Sequence, residues 1–137
     1  MNSQELQLVN YEQAKRLKEL GFDWDTECFY LLNTKTCEPQ LEWNFQGIAL
    51  NNNCSKKSEC SAPTVALALK WFRDEKEYGN GIFLGITHKW EYMYSVFIAI
   101  KSIKKSKYTE IFDTYESAES AILDELLNIL EKEQCWV

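Results

Sequence analysis

Five cysteines are the side chains of this chain best suited to chemistry. Four of them, Cys28, Cys37, Cys54 and Cys60, stand 9, 17 and 6 positions apart. Structural zinc sites typically take paired ligands about two to four residues apart, because both must grip one ion from a tight turn. The wider spacing here favours cysteines that serve as small buried hydrophobic side chains. We therefore expect neither a metal nor a cofactor.

A reactive thiol is a further possibility at Cys54 or Cys60. Both lie in a polar stretch that also contains Lys56 and Lys57, and nearby cations favour the nucleophilic thiolate. The chain has one histidine, His88, which could serve as a base only if the fold brought it to a cysteine. Thiols without chemistry are the alternative, so a cysteine-dependent enzyme is the least favoured function.

Aromatic and acidic side chains form two candidate binding surfaces. Trp90, Tyr92 and Tyr94 gather at the outer end of one predicted strand, where they could line a small-molecule pocket or pack beneath helices. Carboxylates on the predicted solvent side of the last helix could bind a partner protein. These are Glu119, Asp124, Glu125 and Glu131.

The second half of the chain predicts the order helix, strand, strand, strand, helix. Its first helix is predicted at 63–78, with Ser61 or Ala62 as N-cap and Pro63 in the first turn. Gly79 is the predicted stop, because glycine adopts the left-handed conformation at little cost.

Three strands follow in this half. Alternating apolar residues predict a long strand at 90–101, whose 96–100 part is apolar on both faces and therefore suits a central strand. Shorter strands are predicted at 82–86 and 108–112, with a turn at 87–89 and a basic turn at 104–107.

The last helix is predicted at 114–134, with Thr114 as its N-cap. Apolar residues recur at helical spacing along it and predict a face packed on the sheet. These are Ala118, Ile122, Leu123, Leu126, Leu127, Ile129 and Leu130.

The first half predicts one helix and a hairpin. Asn10 is a suitable N-cap with Gln13 at the capping-box position, and Gly21 ends the helix. Strands are predicted at 28–32 and 40–46, joined by a turn at 33–39.

The elements together predict an α+β fold with a mostly antiparallel sheet packed by helices. We expect a single domain over 1–137. It comprises an N-terminal helix and hairpin at 1–50, a polar loop at 51–61 and the core at 62–137, with the hairpin extending the core sheet.

The net charge and the hydropathy of the chain limit its classes of partner and its cellular location. The net charge of −6 argues against a nucleic-acid binder, which needs clustered lysine and arginine. No apolar run approaches the roughly 20 residues of a membrane span, and the first residues lack a signal-peptide pattern. We therefore expect a cytoplasmic protein with reduced cysteines.

Four short segments resemble a group of small uncharacterised proteins encoded by phages, prophages and mobile elements of Bacteroides-type bacteria. The segments are 11–15, 62–64, 70–73 and 115–119, with the sequences Tyr-Glu-Gln-Ala-Lys, Ala-Pro-Thr, Lys-Trp-Phe-Arg and Tyr-Glu-Ser-Ala-Glu. The resemblance implies an accessory gene of a mobile element. It implies no activity and assigns a role to no residue.

Three functions therefore stand as hypotheses. The first is a non-enzymatic accessory protein that binds a host or phage protein, favoured by the acidic charge. The second is a small-molecule binding protein or sponge that uses an aromatic pocket, and the third is the cysteine-dependent enzyme. A homodimer is also possible, because an exposed sheet edge or an apolar remnant of the last helix could pair with a second copy.

Overall fold

The structure, a computed structural model, describes residues 7–33, 35–43, 51–52, 59–86, 92–100 and 105–134. These residues form three helices and six strands, and every strand pair is antiparallel. The α+β class predicted from the sequence is therefore confirmed. Contacts divide the chain into two compact units, Met1–Thr64 and Val65–Val137, and each is described by itself.

The first unit contains one helix and a three-stranded sheet of order β2-β1-β3. Its elements are α1 (Tyr11–Glu19), β1 (Cys28–Leu32), β2 (Pro39–Trp43) and β3 (Glu59–Ser61). The predicted hairpin is confirmed as β1 and β2. Strand β3 was not predicted, because it lies at the end of the stretch interpreted as a polar loop, and it forms through pairing with β1.

Helix α1 begins with the predicted capping box. The Asn10 side chain accepts a hydrogen bond from the Gln13 backbone N–H at 2.8 Å, and the Gln13 side chain accepts one from the Asn10 N–H at 3.0 Å. Two N–H groups that the helix cannot satisfy are thereby paired. Gly21 follows the helix with a φ of +97°, which confirms its predicted role as the stop.

The second unit contains two helices and a sheet of order β4-β5-β6. Its elements are α2 (Val65–Glu75), β4 (Tyr78–Ile86), β5 (Tyr92–Ile100), β6 (Lys105–Phe112) and α3 (Tyr115–Gln134). The order of elements and the central position of β5 are confirmed. The prediction that the first-unit hairpin extends this sheet is wrong. In the described residues β1 pairs with β2 and β3 instead. The predicted turn at 87–89 lies outside the described residues.

Three predicted boundaries in the second half are wrong. Helix α2 begins at Val65, because Ser61 belongs to β3 and the Pro63 carbonyl accepts the Val9 N–H at 3.0 Å. Gly79 does not end the helix: Glu77 takes the left-handed turn with a φ of 58°, and Gly79 lies inside β4. The basic residues at 105–107 open β6 rather than forming a turn.

Helix α3 confirms its predicted start and its apolar face. The Ser117 N–H donates to Thr114 Oγ1 at 3.1 Å, which is the bond of an N-cap. The buried apolar residues of α3 are Ala118, Ile122, Leu123, Leu126, Leu127 and Leu130. None of the helices in the described ranges has the length and apolar character needed to cross a membrane.

Candidate functional site

One face of the β4-β5-β6 sheet is covered by α2 and α3. Tyr78 on β4 stacks on Phe72 of α2, with ring centroids 6.1 Å apart, and its hydroxyl donates to the Glu133 carboxylate of α3. Asn80, two residues along the same strand, donates from Nδ2 to the Leu69 carbonyl oxygen at 3.1 Å. Alternate residues of a strand share a face, so Tyr78, Asn80, Ile82 and Leu84 all belong to this helix-covered side.

Coverage by the helices ends before the strands do. Along this side of β4 the exposed fraction is 3% at Tyr78, intermediate at Asn80 and Ile82, and 56% at Leu84. On β5, Val96 and Ile98 are buried, whereas Tyr94 is only half-buried. The helices therefore leave one end of their own side of the sheet open.

The open end is a continuous apolar row. Leu84 pairs directly with Tyr94, and Tyr94 pairs with Phe112, so the three side chains lie side by side across the sheet. Tyr115, the first residue of α3, places its ring edge-on to Tyr94 with centroids 5.9 Å apart, and it is 45% exposed. We refer to Leu84, Tyr94, Phe112 and Tyr115 as the apolar end.

A buried carboxyl adjoins the apolar end. Glu119 lies one helical turn after Tyr115, is 7% exposed and accepts a hydrogen bond from the Tyr115 hydroxyl. Burial raises the pKa of this carboxyl, the Tyr115 hydrogen bond lowers it, and repulsion from Glu116 raises it. The prediction that Glu119 belongs to the solvent-facing side of the helix is therefore wrong.

The buried carboxyl predicts a pH-dependent stability. The folded-state pKa of Glu119 is raised, so the folded protein binds this proton more tightly than the unfolded chain does. The associated stability is present below the unfolded pKa of about 4.3 and is lost as pH rises through the folded pKa. We expect Glu119→Gln to gain stability over the wild type between pH 4 and pH 7, measured by urea unfolding.

The control for this prediction is Glu116→Gln. Glu116 lies on the same helix and is exposed. Glu116 acts on Glu119 by repulsion, so we expect that variant to change the stability difference between pH 4 and pH 7 much less than Glu119→Gln does. A stability difference for Glu119→Gln that is the same at pH 4 and pH 7 would contradict the account of its burial.

The structure describes only some of the other residues that were predicted to bind a partner or ligand. Trp90 lies outside the described residues, as does the side chain of Tyr92. Asp124 is exposed, whereas Glu125 and Glu131 are half-buried. Helix α3 as a whole carries six carboxylates and one lysine, a net charge of −5, so most of the chain's charge of −6 resides on it.

The two buried cysteines described in the first unit, Cys28 and Cys60, lack the properties of reactive thiols. Cys28 and Cys60 are 2% and 5% exposed. Burial raises the pKa of Cys60 to about 11, against the opposing effect of Lys18 and Lys15, so this thiol is protonated at neutral pH. Cys37 is exposed, and Cys54 lies outside the described residues. Within the described ranges, no three metal-binding side chains of the His, Cys, Asp and Glu types lie close enough to hold an ion.

The first unit also exposes apolar side chains. Leu41 and Trp43 on β2 are 40% and 52% exposed. Among the described residues of the first unit, no carboxyl is buried. The apolar end is therefore the stronger candidate, since it joins exposed rings to a buried carboxyl.

Sequence reasoning missed most of the apolar end. Tyr115, Glu119, Leu123 and Leu127 recur every four residues, and this spacing places Glu119 in line with buried leucines. That signal was present in the sequence. The exposure of Leu84 was not, because it depends on where the helices stop covering the sheet.

Comparison with known proteins gives no further assignment. No protein-family model matches this chain, and neither the curated proteins nor the solved structures contain a match.

Proposed function

We propose that this chain is a non-enzymatic accessory protein that binds a host or phage protein through the apolar end. The proposal places its gene on a phage or mobile element and its action in the bacterial cytoplasm. Binding rather than catalysis is proposed because the groups that the site offers are mainly apolar and aromatic surface, which gains free energy when it leaves water.

The observation that carries the proposal is the exposure of Leu84 and Tyr115. They are 56% and 45% exposed although they lie beside a face of the sheet that helices otherwise cover. Contiguous apolar surface of this kind typically marks an interaction site. Tyrosine is also enriched at protein interfaces, because its ring buries a large area at a low entropic cost.

The charge of α3 indicates the chemistry of the partner. The helix that begins at the apolar end has a net charge of −5, and its Asp124 is exposed. Such a field attracts a basic surface and accelerates its association. The proposed partner therefore presents basic residues around an apolar contact.

Photo-crosslinking tests this function. A benzoylphenylalanine placed at position 84 reports what contacts the apolar end, and the same residue at position 41 reports on the exposed strand β2. In lysate of a Bacteroides-type host we expect one defined protein to be linked at position 84 and not at position 41. That protein, once purified, should bind the unmodified chain.

Other adducts would overturn the proposal. Equal labelling at both positions would show non-specific contact. An adduct between two copies of this chain would assign the apolar end to a homodimer, and the absence of any protein adduct at position 84 would remove the protein partner.

A further inference from the structure

We infer that the apolar end recognises a lysine side chain of the partner, with its ammonium group on the Glu119 carboxylate and its aliphatic stem along Leu84 and Tyr94. This inference rests on the proposed function and specifies what the site selects. It depends on one juxtaposition, a carboxylate that is 7% exposed beside a tyrosine ring that is 45% exposed.

The Glu119 carboxylate can accept more hydrogen bonds than the one that Tyr115 donates. An ionised carboxylate offers about four acceptor positions, and the Tyr115 hydroxyl occupies one of them. Arg73, whose charge lowers the pKa of Tyr115, donates from Nη1 to Asn80 Oδ1 at 2.7 Å. Burial and repulsion from Glu116 raise the pKa of the carboxyl, whereas the Tyr115 hydrogen bond favours its charged form.

A lysine fits these groups better than an arginine. The planar guanidinium binds a carboxylate most favourably through both oxygens at once, and the Tyr115 donor restricts the positions from which such a fork can approach. An ammonium group is compact and can share the carboxylate with a hydroxyl. The four-carbon stem of lysine buries readily along apolar surface, and its charge is attracted to the face of a tyrosine ring.

The cost of keeping Glu119 buried supports a role in binding. Burial is the largest cause of its raised pKa, so the charged form is destabilised in the free protein. A bound cation would offset this desolvation, whereas removal of the carboxyl would leave the rings of the apolar end in place.

Two small probes separate the ammonium group from its stem. N-acetyl-lysine amide and N-acetyl-norleucine amide share a four-carbon side chain, and only the first carries the ammonium. Binding is followed through the ring signals of Tyr94 and Tyr115 in NMR titrations. We expect the lysine probe to bind roughly tenfold more tightly, the effect of one charge-assisted hydrogen bond.

Two matched variants test whether the preference for the lysine probe depends on the Glu119 carboxyl. Glu119→Gln keeps the size of the side chain and should bind both probes equally. Glu116→Gln removes an exposed carboxylate three residues earlier and should retain the preference for lysine. Unfolding curves of both variants show whether they are folded.

Equal binding of the two probes to the wild type would overturn the inference, as would a lysine preference that survives Glu119→Gln. These outcomes differ from a failure of the proposed function. A partner crosslinked at position 84 without a lysine preference would leave the docking surface and remove only its selectivity. A lysine preference without any crosslinked partner would leave the selectivity of the site and remove the proposed protein partner.

Discussion

Replacing Phe72 by alanine is expected to destabilise the protein by about 3–5 kcal/mol, the range for removing a large aromatic side chain from a core. Phe72 is fully buried, with its ring centroid 5.1 Å from that of Trp71 and 6.1 Å from that of Tyr78. The loss combines a cavity with two missing ring contacts. Because domains are typically stable by about 5–15 kcal/mol, urea unfolding should detect a large change.

The control is Leu84→Ala in the same unit. Leu84 is 56% exposed, so its truncation should change stability by about 0.5 kcal/mol or less. A cost below about 1 kcal/mol for Phe72→Ala, or equal costs for the two variants, would contradict the packing of α2 on β4 described above.

Replacing Tyr115 by alanine is expected to weaken binding of the partner crosslinked at position 84 by about 2 kcal/mol, roughly thirtyfold in Kd. The substitution removes the exposed ring, its edge-on contact with Tyr94 and the hydroxyl that donates to Glu119. Isothermal titration calorimetry with the purified partner measures the change.

Tyr11→Ala is the matched control for this effect. Tyr11 is also the first residue of a helix, and its ring lies edge-on to Tyr30 with centroids 5.8 Å apart. It belongs to the other unit, so its removal should alter the Kd by less than about threefold while costing comparable stability. Equal losses of affinity in Tyr11→Ala and Tyr115→Ala would indicate an effect of folding rather than of contact.

Local chemistry explains what could be predicted of the fold. The Asn10 and Gln13 capping box and the Thr114 N-cap are specified by residues three positions apart, so the sequence contains all the atoms involved. Strand β5 could also be predicted from the sequence. Its alternating pattern indicates a strand, and its two apolar faces indicate a central position in the sheet.

Tertiary contacts explain the errors. Strand β3 has three residues and forms through its pairing with β1. The polar sequence around it contains no alternation that would predict this pairing. The end of α2 was predicted wrongly from Gly79, because Glu77 adopts the left-handed conformation two residues earlier. A local preference was overridden there by the need to start β4 at Tyr78.

The candidate site shows the same division. Tyr94 was identified because aromatic residues cluster in the sequence around it. Leu84 and Phe112 join Tyr94 only through strand register, and their exposure depends on where α3 begins. Glu119 was misplaced because glutamate was expected on a solvent-facing side, although its spacing from Leu123 indicated burial.

An NMR chemical-shift map of the labelled chain, bound to its purified and crosslink-identified partner, tests whether the apolar end is the docking surface. Docking at the apolar end predicts that the largest shifts occur at Leu84, Tyr94, Phe112 and Tyr115. Unchanged signals at these four residues, with the shifts concentrated instead at Leu41 and Trp43 of β2, would contradict it.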